Sequence, residues 1–177
     1  RRGLPNIKSM VAAVETLTTD KSVKLFERFG IFTKAELESR AEVLYETYAK
    51  TINIEALTMV DMASKQIIPA VITYATELAA SINEVTSALP DADVSVQTEL
   101  LTETQALLSD TKVALAKLTD VQAKGAAMPD GKEQAEYYRD VVKTAMDELR
   151  APVDKLEMIV DKEIWPLPSY GDLMFEV

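Results

Sequence analysis

The chain has 177 residues, 47% of them hydrophobic and 27% charged, which is enough apolar material for one folded domain. It has no cysteine and no histidine, so disulfides, thiolate nucleophiles, sulfur-ligated zinc and the commonest general base are excluded. A formal charge of −10 repels polyanions, so neither nucleic acid nor an anionic membrane surface is an expected partner.

No apolar run reaches the roughly 18 residues that span a bilayer, and no signal peptide is visible. The chain opens Arg1-Arg2-Gly3-Leu4-Pro5 without Met and reads as a piece cut from a larger protein. Few glycines and abundant Ala, Leu, Glu and Lys favour helix over sheet.

The first helix is predicted over 7–17, with Ile7, Met10, Val11, Val14 and Leu17 on one face and Asn6 as N-cap. Asp20 is expected to cap a second short helix that buries Val23, Leu25, Phe26 and Phe29. Gly30 then stands where a left-handed C-cap residue belongs. Thr33 and Glu36 form a capping box.

After that box no strong stop occurs until Leu89-Pro90. An apolar stripe runs from Leu37 through Ala41, Ala56, Ile67 and Val71 to Val85, at about 3.7 residues per step, close to a straight helix. Pro69 lies inside it and should kink it.

A turn at 90–93 leads to a helix over 94–124. There Val94, Leu101, Leu108 and Leu115 recur every seven residues, a coiled-coil-like seam. Residues 125–131 read as a loop. The last helix, 132–161, carries Ala135, Tyr138, Val142, Ala145, Leu149, Leu156 and Val160 on one face, and Pro152 should bend it.

The expected fold is therefore all-α: an elongated antiparallel bundle with one very long helix, two helices of about 30 residues and two short N-terminal helices. Three segments are distinguished: 1–32, the long-helix bundle 33–161, and a tail 162–177. The tail holds Pro166, Pro168 and the single Trp165. It is expected to be extended and too aromatic to stay in water.

Three constellations have chemical overtones. Gly125 to Glu133 superficially resembles a phosphate loop, but its spacing is one residue too long and Glu133 stands where Ser or Thr should ligate Mg²⁺. Residues 91–102 alternate oxygens like a calcium loop, yet Val96 replaces the turn glycine and Thr102 the closing glutamate; Asp91 or Asp93 as helix caps explains them better. Glu55 and Asp61 could serve acid–base or metal chemistry, but bundle metal sites use Glu-x-x-His motifs. Bonds to backbone groups or a neighbouring Arg are the expected role. The scattered methionines and the tyrosine pairs Tyr45/Tyr48 and Tyr137/Tyr138 read as core filler. No residue is assigned as catalytic, cofactor-binding or metal-binding.

Two stretches resemble a known family. One is Ser39-Arg40-Ala41-Glu42-Val43-Leu44-Tyr45-Glu46-Thr47-Tyr48, running through Thr51-Ile52-Asn53-Ile54-Glu55-Ala56-Leu57-Thr58-Met59 to Gln66-Ile67-Ile68-Pro69. The other is the tail, Trp165-Pro166-Leu167-Pro168-Ser169-Tyr170-Gly171-Asp172-Leu173-Met174-Phe175. Together with Leu4-Pro5-Asn6 and Lys24-Leu25-Phe26-Glu27-Arg28-Phe29-Gly30, they are similar to the C-terminal helical region of the bacterial type III glutamine synthetases.

The resemblance implies a parent enzyme of glutamine biosynthesis. It would join ammonia to glutamate with ATP and Mg²⁺ or Mn²⁺, in a cytoplasmic oligomer whose catalytic residues lie in other domains. It implies partners in the preceding catalytic domain and neighbouring subunits, and no activity in this segment alone. Trp165, Tyr170, Leu173 and Phe175 are the interface candidates, since buried aromatics dominate such contacts. The competing expectation is an independent helical interaction or sensory bundle built on the seam at 94–121.

Overall fold

A computed structural model describes residue 3 and residues 5–175. Leu4 and the side chain of Tyr170, both named above, lie outside the described residues. Among the described residues the fold is all-α, with no strand and no helix long and apolar enough to cross a membrane. The chain divides into two compact units. The first takes residues up to Leu57 and Asp120–Thr144; the second takes Thr58–Thr119 and residues from Ala145 onward.

In the first unit, α1 (Met10–Glu15) starts later than the sequence suggested. Ser9, not Asn6, is its cap, accepting from the Ala12 amide at 3.2 Å. A 3-10 turn, Thr16–Thr18, leads to α2 (Asp20–Arg28). Thr19 takes the extended conformation and caps α2 through the Ser22 amide, so Asp20 is the first helical residue rather than the cap. Of the four residues expected inside on α2, Val23 alone is buried; Leu25 and Phe29 are exposed, Phe29 by 66%.

Gly30 does adopt a positive φ of 62°. The Ile31 amide reaches Phe26 O and the Gly30 amide reaches Glu27 O, the two bonds of a Schellman ending. The Thr33–Glu36 box also forms: Thr33 N–H donates to Glu36 Oε2 (2.7 Å), and Glu36 N–H to Thr33 Oγ1 (3.3 Å). These bonds hold the Glu36 carboxyl below its ordinary range.

The box opens α3 (Lys34–Met62), which continues without a break through a π turn (Ala63–Ile67) into α4 (Ile68–Ala88), 55 residues in all. The π turn answers the question Pro69 posed. A helical proline lacks its N–H and presses on the carbonyl four residues earlier, here Lys65, inside the widened turn. A π turn inserts one residue. Subtracting it brings the stripe spacing from about 3.7 to about 3.6, the α-helical value.

The first unit's core joins Val11 and Val14 of α1, Ala41 and Tyr45 of α3, and Ala135 of α6 (Lys132–Tyr137). The front of α3 thus packs against α6 as well as α1.

In the second unit, Asp93 accepts from the Ser95 amide at 2.9 Å, as a capping role requires, and α5 (Ser95–Ala126) follows. The buried seam of α5 differs from the expected heptad. Thr104, Thr111 and Leu118 repeat at seven beside Leu107, Leu115 and Val121, while Leu101 and Leu108 are only half-buried. Thr111 satisfies its hydroxyl on Leu107 O (2.8 Å).

The last helix comes in three parts: α6, a π turn (Tyr138–Val142) and α7 (Lys143–Ile159). All seven residues expected on its inner face are buried. The α-helix passes through Pro152 without interruption, and the irregular turn lies ten residues earlier. The second core gathers Ile67, Val71, Leu107, Leu156 and Val160.

Candidate functional site

The three constellations with chemical overtones lie in helices or at their ends. Gly125 is not in a loop but in the last turn of α5, buried, with a helical φ. A Cβ there would meet the Tyr138 ring at 3.1 Å and the Tyr137 ring at 3.3 Å, so any side chain would crowd both rings. The Ala127 and Met128 amides are spent on carbonyls of α5, and Gln134 donates to Gly125 O and Met128 O at 3.2 Å. The segment closes a helix end and offers no amide cradle for a phosphate.

Asp61 pairs with Lys65 one turn on, and both Asp61 and Glu55 are exposed on α3 rather than bonded to backbone or Arg. Among the described residues, no three carboxylates converge closely enough to hold a metal ion.

A polar contact that the sequence did not single out lies at Asn53. Its Oδ1 accepts from Gln122 Nε2 (2.8 Å) and from the Tyr138 hydroxyl (2.9 Å). The Tyr138 ring is fully buried and rests on Gly125. One amide oxygen thus fixes the register of α3, α5 and the π turn after α6. Its sequence signal is a polar residue on the inner side of an apolar stripe, within the stretch that carries the family resemblance.

The tail is where surface chemistry concentrates, and its two halves differ. After α7 the Ile164 and Trp165 amides both bond Asp161 O (3.0 and 2.9 Å), and Asp161 Oδ1 accepts from the Glu163 amide (2.7 Å). This turn lays Ile164, Trp165 and Leu167 on the second unit's own core. Trp165 is half-buried there, and its indole N–H is sealed from water with no acceptor among the described residues.

Beyond Pro168 the tail is not extended, as its prolines had suggested, but ends in a short helix, α8 (Tyr170–Phe175). Ser169 and Asp172 build a capping box for it. Ser169 N–H and Oγ both donate to Asp172 Oδ2 at 2.7 Å, and Asp172 N–H returns a bond to Ser169 Oγ at 3.3 Å. Lys162 Nζ donates to Asp172 Oδ1 at 3.0 Å and ties the helix back to the turn. The Ser169 hydroxyl, then Lys162 and the Ser169 amide, hold the Asp172 carboxyl down at about 2. The helix carries Leu173, Met174 and Phe175 on its surface, exposed by 67%, 70% and 79%. Of the four interface candidates, Trp165 is thus seated on this chain's own core, and Leu173 and Phe175 face outward.

The description of the family model that matches residues 1–86 is "Glutamine synthetase C-terminal domain". That match covers α1 to α3, including Asn53, and most of α4. The chain is also 34% identical over its whole length to a glutamine synthetase of Butyrivibrio fibrisolvens, of which it covers 25%. It is 30% identical over 99% of its length to a glutamine synthetase of Bacteroides fragilis (strain YCH46), again covering 25%. A type-3 glutamine synthetase of Dictyostelium discoideum is 29% identical over 98% of the chain, which covers 24% of it.

Residues 1–86 match the glutamine synthetase C-terminal domain family, and similarity to glutamine synthetases runs along the whole chain. The chain spans about a quarter of the length of the curated relatives it matches. Alignment with these glutamine synthetases reaches both the Asn53 contact and the tail, the two regions whose residues carried the resemblance.

Proposed function

We propose that this chain is the accessory C-terminal domain of a larger type III glutamine synthetase, and that it serves assembly rather than chemistry. The parent would ligate ammonia to glutamate at the expense of ATP in the cytoplasm. Its ATP and Mg²⁺ or Mn²⁺ would be held by segments other than this one. The partners would be the catalytic domain and neighbouring subunits.

The observation that carries this reading is α8: a capped helix, tethered by Lys162, with three adjacent apolar side chains in water. Apolar surface gathered on an ordered element is costly in solvent and is ordinarily covered by a partner. Anchoring Trp165 on the bundle fixes where α8 stands, so docking costs little conformational entropy. On this reading residues 162–168 are a strut and 169–175 the docking element.

The test is the double substitution Leu173→Lys and Phe175→Lys in the full-length protein. Sedimentation should show loss of the assembled form, with turnover reduced in parallel, while the helical content of the domain is retained. Unchanged sedimentation together with unchanged turnover would remove the assembly role.

A further inference from the structure

The first unit carries an acidic feature of its own, distinct in chemistry from the apolar tail. A cleft of about 830 Å³ opens between α3, the turn after α1 and the start of α6. Its wall on α3 carries Glu38, Glu42 and Glu46, and Glu15 and Asp130 face it from the other segments. Among the described residues Lys132 is the one cation that lines the cleft, and it already pairs with Glu15 and Glu136. Glu38 and Glu46 pair along the helix with Lys34 and Lys50. Glu42 and Asp130 have no ion pair among the described residues.

The floor supplies an independent sign of a ligand. Tyr45 lines the cleft although its side chain is 6% exposed, and no described residue hydrogen-bonds its hydroxyl. Tyr45 lines the cleft together with Glu15 and Lys132, while its ring packs in the first unit's core. Burial, then Glu15, raises its ionisation above the ordinary phenol range, so it remains an O–H that can both donate and accept.

The spacing narrows the ligand class. The carboxylates do not converge, so a single metal ion is not what they fit. Instead Glu38, Glu42 and Glu46 recur at every fourth residue, about 6 Å apart along the helix axis. That pattern matches a flexible chain of ammonium groups joined by propyl or butyl spacers. We propose that this cleft binds a linear aliphatic polyamine, whose ammonium groups meet Glu42, Asp130 and the flanking glutamates while one N–H reaches the Tyr45 hydroxyl. This goes beyond the assembly role and does not depend on it.

The experiment titrates the 177-residue chain with spermine, by calorimetry and by amide NMR, with n-butylamine and Mg²⁺ as comparison cations. The expected result is saturable one-to-one binding, with shifts confined to residues 15–19, 38–46 and 130–132. Butylamine should bind far more weakly, and equimolar Mg²⁺ should not displace spermine. Glu42→Gln and Asp130→Asn should each weaken binding about threefold. Tyr45→Phe should do the same, because it keeps the ring that packs on Val11 and Ala41. Glu99→Gln, outside this cleft, should leave binding unchanged, and circular dichroism should show every variant folded.

Shifts scattered over all acidic faces, equal competition by Mg²⁺, or unaltered affinity in Glu42→Gln, Asp130→Asn and Tyr45→Phe would each overturn the proposal. A lysine-rich peptide that binds residues 38–46 more tightly than spermine would overturn it in favour of a protein partner.

Discussion

Trp165 and Phe175 stand ten residues apart in one tail and meet opposite fates. Trp165 lies on the second unit's core, its N–H sealed from solvent; Phe175 is 79% exposed on a helix held by its own capping box. The difference follows from the backbone between them. Pro166 and Pro168 forbid helix where the chain lies on the second unit's core, and Ser169 then caps a new helix whose apolar side chains are exposed. A tail built this way separates holding from presenting. The first half is bound within the domain, and the second leaves apolar side chains exposed.

The largest effect should come from cutting the held half. Trp165→Ala should cost about 3 kcal/mol, toward the low end for a large aromatic because the side chain is half-buried. Thermal melting of the chain measures it. A melting point within a degree of the parent would mean that the Trp165 seat is incidental. Next, Asn53→Ala strands two donors, Gln122 Nε2 and the Tyr138 hydroxyl, and should cost about 2 kcal/mol in the first unit without altering the tail.

Acid should separate the two halves more gently. The Asp172 carboxyl lies at about 2 when folded, below its ordinary 3.8. A depressed carboxylate contributes stability that is fully present above the ordinary value and lost as pH falls through the folded one. Amide signals of α8 should therefore lose their helical shifts as pH drops from about 4 toward 2. Asp172→Asn should show the loosened α8 already at neutral pH. The fluorescence of Trp165, the only tryptophan, should stay constant in that variant; a red shift would join the two halves into one unit. The smallest effect on stability belongs to the presenting half. Leu173→Ser with Phe175→Ser should change the chain's own unfolding free energy by no more than about 0.5 kcal/mol.

Much of this architecture is legible in the sequence where one residue's local chemistry decides the outcome. The Thr33–Glu36 box, the left-handed Gly30 and the inner face from Ala135 to Val160 need only short-range rules. Other choices depend on partners. Thr19 rather than Asp20 caps α2 because the extended backbone falls one residue earlier, which neither side chain dictates. Leu25 and Phe29 lie on an amphipathic stripe, but a stripe shows what could be buried and not whether a surface arrives to bury it.

Asn53 explains itself only through residues 69 and 85 positions away. The π turn was half-written: a stripe spacing slightly above the α-helical value records one inserted residue, and Pro69 marks the place. The acidic cleft escapes notice in the sequence because Glu38, Glu42 and Glu46 look like any solvated helix face. Tyr45, Asp130 and Lys132 make a wall of it only in three dimensions.

The claim on which the functional reading turns is that α8 is a presented surface covered in the larger protein. Amide hydrogen exchange over residues 170–175, compared between the 177-residue chain and the full-length protein, tests it directly. Exchange should slow by at least about tenfold in the full-length protein while residues 145–160 exchange equally slowly in both. Equal exchange of α8 in the two would contradict the account.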